Sequence, residues 1–590
     1  MSDAFSSFGS GRVCTKHSGR SCGVASLIIL VAMTLPSIIL VLSMAVGPMK
    51  HLDEPLDIIW MQFPRTISAF NSQGWLFQGM GLDSVLSQRL ACVAIEVAAS
   101  LLLAKGVLAY FKVFLDLEIE AFWVYGLSLT GALLFPHVLY LTPLPSYLVS
   151  SSFNACFGLV LWSVAAGRSA RMSLVAGMAM GVVPIFWPPM AAIAPLFMSV
   201  FILGTACGRD GMLKGARQLV FIMSGFIVSF GGFYVITGDG PRLLAALAVI
   251  SRTSRPISVV LTHNVDDALH IIRSALTMRA FPPFVAAIVV VALSWVLRRF
   301  TTLADVAFSG LVAIGCLGFA VGTVLHTTLY FPLPAGMAIA FASTIALSRH
   351  AFEGRVVAGR FQAVWLLGTL FLLPYVPFFG SSRGVVSVAD CNVAPLFILC
   401  GLALGVLAAR GRICGFAARG AAVALAFWAT MITAERAMLL WREGSVPLAS
   451  PLPEFRALRA TPEQRLFSDE LYALLAGANV TRQGWRVAGW LSPTAMALSG
   501  LRPFGSDFGL GAGSLSECES LKADTLEPEE RLVLIGSGSP GASYVQCLRA
   551  VGLDFPEAFS EIGRLPPDPL IPQEGRGQDW IVWVEKAKRS

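Results

Sequence analysis

The sequence predicts an α-helical polytopic membrane protein of about thirteen transmembrane helices, with a small soluble α/β domain at its C-terminal end. Three observations predict it. Of 590 residues, 55% are hydrophobic and 13% are charged, against roughly 25% charged in an average soluble domain. Mean hydropathy is +0.71, and single soluble cores stop growing near about 250–300 residues, so a bilayer is needed to hide this much apolar surface. The apolar residues fall in runs of spanning length that cease near residue 443. The net charge of +7 therefore reads as basic cytoplasmic loops rather than a nucleic-acid footprint, and no nucleic-acid partner is expected.

The first apolar run, Cys22 to Gly47, follows Arg12, Lys16 and Arg20 and has small residues around Ser43 and Ala45, as a signal peptide would. It is longer than the roughly 7–15 residues of a signal h-region. It reads as an uncleaved first span with its N-terminus in the cytoplasm. A span needs roughly 20 apolar residues, and the candidates are 23–47, 90–111, 121–141, 148–166, 172–187, 189–206, 218–237, 281–297, 304–325, 331–348, 361–379, 393–409 and 416–438. Trp187-Pro188-Pro189 leaves open whether its two flanking runs are separate helices or one kinked helix. With the N-terminus inside, eighteen basic residues fall on the cytoplasmic side and nine on the outer side before residue 440. With thirteen spans that asymmetry is consistent with a C-terminal domain outside; an even count would put it in the cytoplasm.

Two outer connections are long, 48–89 and 237–280, and both mix apolar and polar residues at helical spacing. Ile58, Met61, Ile67 and Phe70 in the first, and Leu269, Ile272, Leu276 and Met278 in the second, predict helices lying flat at the membrane surface. Trp60 and Trp75 suit that depth. Residues 1–442 thus form the membrane part and 443–590 the soluble one. In the latter, Leu532 to Ile535 and Trp580 to Val584 read as strands, Ser468 to Gly477 and Ala542 to Val551 as helices. Cys518 and Cys547 could pair in an oxidising compartment; spacing alone leaves this open. The other cysteines mostly sit in spans as small apolar residues. Gly536 to Gly541 matches GxGxxG between a strand and a helix, but Pro540 interrupts the helix start that should cradle phosphate, so a turn is expected there. Asn479-Val480-Thr481 fits a glycosylation acceptor triplet, a pattern common by chance.

The candidate site lies just past the first span, where Asp53, Glu54 and Asp57 crowd into five positions. A wet juxtamembrane loop would also be acidic, but the amphipathic segment that follows would fix these acids at the rim of a cavity. In the second long loop, His263, His270, Arg273 and Arg279 are cations suited to a phosphate headgroup, although a solvated helix face would carry the same residues. Arg65 joins them from the first loop, and His326 and Tyr330 lie at the same level between later spans. Glu96 falls inside the second span, where a carboxylate is costly and must face the bundle or water. Function and a hydrogen bond to a neighbouring helix explain it equally well.

Taken together, the arrangement resembles the GT-C membrane glycosyltransferases, among them the bacterial aminoarabinose and protein-mannosyl transferases. The resemblance rests on the short cytoplasmic N-terminus, the Asp53-Glu54 pair after span one, the two long outer loops and the outer C-terminal domain. It implies a sugar moved from a polyprenyl-phosphate carrier to a glycan, lipid or protein acceptor on the non-cytoplasmic face, with inversion. It also implies Asp53 as base, with Glu54 orienting it or serving in its place. Arg65, His263, His270, Arg273, Arg279, His326 and Tyr330 would then bind the lipid phosphate or substrate. The sequence departs from the family at Pro55, and at Thr142 to Tyr147, where many members carry a second acid. No cofactor is certain, and a divalent metal stays open. A carrier phosphate leaves as a stable anion, so one carboxylate to deprotonate the acceptor suffices. The rival readings are a transporter or flippase of a lipid-linked or small substrate, which would show inverted repeats and broken mid-membrane helices, and a membrane assembly protein. Arg in excess of Lys, with abundant Ala and Gly, suggests a bacterial inner membrane with a periplasmic C-terminal domain.

Overall fold

In the computed structural model the described residues are 19–49, 53–64, 72–115, 119–134, 141, 145–206, 208–241, 357–378, 392–408, 412–444, 446–448, 450–490, 493–505, 521–522, 524–538, 541–571 and 579–586, with isolated positions between 244 and 269. The membrane part contains α1 (Gly19–Met44), α2 (Asp53–Gln62), α3 (Gln73–Gly79), α4 (Val85–Leu115), α5 (Ala121–Ala132), α6 (Pro145–Ala165), α7 (Ala170–Phe186), α8 (Met190–Gly204), α9 (Gly208–Thr237), α10 (Val357–Leu372), α11 (Ala394–Ala408) and α12 (Arg412–Glu443). Stretches of α4, α6, α9 and α12 are long and apolar enough to cross a membrane, and α1, α7, α8, α10 and α11 contain shorter apolar helices. Leu35 and Ile39 on α1, and Val220, Ile227, Val228 and Val235 on α9, are exposed, as lipid-facing residues are. The chain is an integral membrane protein. Of the expected spans, 281–297, 304–325 and 331–348 lie outside the described residues. The two runs at Trp187-Pro188-Pro189 form separate helices, α7 ending at Phe186 and α8 starting at Met190.

Bare backbone lets the helices approach. Gly106 of α4 faces Gly158 of α6, and a Cβ on either would run into the other helix's backbone. Gly177 of α7 and Gly225 of α9 do the same to each other's helices. Without a hydrophobic drive between helices in lipid, such small-residue seams let van der Waals contact hold them. Gly158→Leu is expected to lower the unfolding temperature of the purified protein well below that of Leu159→Ala, a change on the same helix; equal losses would show that the seam is not tight.

In the C-terminal part the expected strands and helices are present: β5 (Arg531–Ser537), β7 (Trp580–Glu585), α13 (Pro462–Gly477) and α15 (Ala542–Ala550). The pair β1 (Val446–Pro447) and β2 (Arg459–Ala460), β3 (Trp485–Trp490), β4 (Arg502–Pro503), β6 (Phe559–Leu565) and α14 (Pro493–Ser499) complete it. The five-stranded order is β4-β3-β5-β7-β6, with β3 parallel to both β4 and β5 and β7 antiparallel to both neighbours. Strand alternation sends Val487, Val533, Ile535, Val582 and Val584 into one core with α13 and α14 residues. Ala488, Leu532, Leu534 and Trp583 point into a second core with Tyr544 and Leu548 of α15. Buried on both faces, β5 and β7 read as nearly continuous apolar runs.

The two motifs set aside in the sequence have structural work. Gly536 lies under the Trp490 ring, where a Cβ would overlap it, and Trp490 Nε1 donates to Ser537 O at 3.0 Å. Gly538 adopts φ 63°, which glycine does without cost. Asn479, at φ 53°, closes α13: its N–H reaches Ala476 O at 3.0 Å and Val480 N–H reaches Leu475 O at 2.9 Å, the paired bonds of a Schellman cap.

Burial pushes the Tyr472 hydroxyl up to about 12; its hydrogen bond with Ser450 opposes this, and Glu454 adds to it. A raised phenol favours the neutral folded state, so its contribution is complete below pH 10.0 and is lost as pH rises towards about 12. Tyr472→Phe is expected to flatten that alkaline loss in unfolding curves; an unchanged alkaline slope would refute the assignment.

Candidate active site

Asp53 and Glu54 are the first residues of α2, and Pro55 follows within the first turn. Proline is tolerated there because a first-turn N–H has no intrahelical partner, so the departure at Pro55 is compatible with a helix starting at Asp53.

The expectation that the apolar face of α2 meets lipid at the membrane surface is corrected. Glu54, Asp57, Ile58, Ile59 and Met61 are each at most 1% exposed, and Trp60 is buried too. Met61 joins the core of the bundle, whereas Ile58 and Ile59 join the core of the C-terminal part. The apolar stripe that would suit lipid is taken up by protein on two sides. Helix α2 packs against α14, and α3 lies on α2, with Gly74 seated against the Trp60 carbonyl. Gln78 of α3 caps α2's last turn, its Nε2 donating to Met61 O and Gln62 O at 2.9 Å each.

Two polar anchors hold the start of this helix. Arg89, assigned to a loop by its sequence position, lies in the second turn of α4 and is 2% exposed. Its guanidinium donates to Ala45 O at 2.9 Å and Gly47 O at 2.8 Å, and pairs with the buried Glu54 carboxylate. From the opposite side, Gln464 Nε2 donates to Met49 O at 2.6 Å, and Arg459 N–H to Val46 O at 2.8 Å. Gln464 can do this because it is already fixed, accepting from Thr461 N–H at 3.2 Å in the capping box that starts α13. The acidic segment and the C-terminal part therefore share one side of the bundle.

Glu54 is thus an ion-paired, buried carboxylate rather than a solvated one. Neither anchor was recognisable beforehand, because Arg89 and Gln464 lie 35 and 415 residues away from the groups they bind. Glu96 is 2% exposed and accepts a hydrogen bond from Ser151 of α6, so the structural explanation for it is present. Arg65, His263, His270, Arg273, Arg279, His326, Tyr330 and Cys518 lie outside the described residues, as does the Asp53 side chain. Cys547 is disulfide-bonded. Among the described residues, no group of three or more His, Cys, Asp or Glu is arranged to hold a metal ion.

No protein-family model matches this chain, and no curated protein matches it in sequence. Two solved structures of the Archaeoglobus fulgidus oligosaccharyltransferase are similar to it. One, tethered with an acceptor peptide containing the NVT sequon, has a TM-score of 0.43 and 12% identity over 87% of this chain and 69% of that one. The other, in complex with Zn and sulfate, has a TM-score of 0.39 and 11% identity over 86% and 68%. A likeness this distant assigns no residue, and the site rests on the groups of this chain.

Proposed function

We propose that the protein is a GT-C-type membrane glycosyltransferase that moves a sugar from a polyprenyl-phosphate carrier to an acceptor on the non-cytoplasmic face, with inversion. The observation that carries this reading is the buried α2, whose Glu54 is paired with Arg89 of the bundle, while Gln464 of the C-terminal part holds Met49 just ahead of it. Asp53 takes the proton from the acceptor hydroxyl or amine. Glu54, held by Arg89, fixes the backbone from which Asp53 extends. Fixing a base on a packed helix is what a one-carboxylate mechanism needs, since proton transfer demands hydrogen-bond reach. The departing carrier phosphate needs no acid, and the second outer loop is proposed to supply its cations through His263, His270, Arg273 and Arg279. Arg65, His326 and Tyr330 complete that set.

The disulfide at Cys547 supports an oxidising compartment for the C-terminal part, in keeping with the basic-residue asymmetry and a periplasmic domain. The transporter reading needs charged, broken helices at mid-membrane; the anchored acids at the bundle's end favour the transferase. Membranes containing the protein, incubated with radiolabelled polyprenyl-phosphate sugars, are expected to yield a labelled product that no longer partitions with the carrier. Label that crosses the membrane still attached to its carrier would support the flippase instead.

A further inference from the structure

The end of the bundle away from α2 gathers cations on a lipid-facing surface. Helices α4 and α6 run the same way from α2: Glu96 meets Ser151, and further along both helices Lys105 lies 3.7 Å over the Trp162 ring. Next to Trp162, the Ser163 and Ser173 hydroxyls are 2.7 Å apart, and Gln218 Nε2 donates to Ser163 Oγ at 3.2 Å. This knot brings the start of α7 and an early stretch of α9 to one level at the far end. Arg168, just ahead of α7, is drawn in as well: its guanidinium lies against the bare backbone of Gly215, and Nη2 donates to Thr205 Oγ1 at 3.4 Å. Around the knot Arg171, Lys214 and Arg217 are exposed. Among the described residues none of these three is in an ion pair. Asp210, one turn ahead of Lys214, is the acid at this end of α9.

The faces on which these cations stand select the ligand. Arg171, Leu174, Val175 and Met178 share one face of α7 by their spacing, and all four are exposed. On α9, Leu213, Arg217 and Val220 share a face in the same way and are exposed too. A cation that only sets topology can sit anywhere in a loop. Arg217 instead is the tenth residue of α9, with an exposed apolar residue one turn to either side, and its long side chain reaches from there to the headgroups. The two helices pack in parallel, Gly177 against Ile222 and Gly181 against Phe226. Arg171 stands six residues ahead of Gly177 and Arg217 five ahead of Ile222, so they lie within about 2 Å of one height.

Two guanidiniums at one height, above neighbouring apolar faces, fit a phosphodiester with an acyl chain beneath it. Each fork can hold two phosphate oxygens, and the Phe221 ring, 5.8 Å from the Arg217 guanidinium, adds apolar surface below. Lys214 and Arg168 leave positive charge in excess over Asp210, which a zwitterionic headgroup's own ammonium would meet unfavourably. We infer that the paired surface of α7 and α9 binds an anionic phospholipid, its phosphate held by Arg171 and Arg217 and its acyl chain lying along Leu174 and Met178. The inference does not rest on the transferase reading, since this surface is at the opposite end of the bundle from Asp53.

The test uses the full-length protein, delipidated in a neutral detergent and titrated with dioleoylphosphatidylglycerol or dioleoylphosphatidylcholine, bound lipid being counted by native mass spectrometry. The wild type is expected to retain phosphatidylglycerol in preference to phosphatidylcholine. Arg171→Gln with Arg217→Gln should weaken the tightest phosphatidylglycerol binding about thirtyfold, the worth of two cations at a membrane surface. Both side chains are exposed, so the double variant should unfold at the wild-type temperature when no lipid is added. Lys112→Gln, which removes an exposed cation of α4, should bind as the wild type does. Glycerophosphoglycerol, the same headgroup without acyl chains, should not displace the lipid. The inference is overturned if the wild type binds both lipids equally, if the double variant binds phosphatidylglycerol undiminished, or if Lys112→Gln loses as much. Displacement by the deacylated headgroup would overturn it too, by showing a site for soluble phosphates.

Discussion

Replacing Arg89 with leucine is expected to destabilise the protein by about 3–5 kcal/mol, the cost of breaking a buried ion pair from one side. Glu54, fully buried, would be left in the protein interior without its guanidinium partner. The carbonyls of Ala45 and Gly47, which close the end of α1, would lose their donor as well. Against a total stability of about 5–15 kcal/mol, that is a large fraction, and it should appear as a marked drop in the unfolding temperature of the detergent-solubilised protein. Replacing both partners with leucine should recover most of the loss, because removing a buried pair altogether is often close to neutral. A single Arg89→Leu variant that unfolds at the wild-type temperature would disprove the anchor.

The second large effect concerns chemistry. Asp53→Asn is expected to lower sugar transfer by about 10²–10⁴-fold, the usual worth of a positioned general base, with donor binding and unfolding temperature unchanged. Asparagine keeps the shape and the helix position but cannot take a proton. Glu54→Gln should behave differently: it weakens the tie to Arg89, so its loss of activity should come with a loss of stability. If Asp53→Asn transfers sugar at the wild-type rate, the base lies elsewhere.

What the sequence reveals and what it conceals follow from the range of the forces involved. Spans are legible because a bilayer demands continuous apolar runs, and the helix break at Trp187-Pro188-Pro189 is local chemistry. Strands β5 and β7 are legible as short apolar runs. The setting of α2 is not: Ile58 and Met61 at helical spacing look the same whether their stripe meets lipid or protein, and only the C-terminal part's position decides between them. Arg89 is lost in the same way. As a basic residue at the edge of a span it reads as a topological signal, and nothing nearby announces that it will be buried against Glu54.

The hydrogen bond from Gln464 to the carbonyl of Met49 joins positions 415 residues apart, and this orders events during biosynthesis. The ribosome has synthesised every bundle helix described above before residue 464 is made. Until the last fifth or so of the chain has followed and folded against it, the acidic helix lacks its partners from the C-terminal part. A chain cut short before residue 464 therefore lacks the donor that holds the Met49 carbonyl.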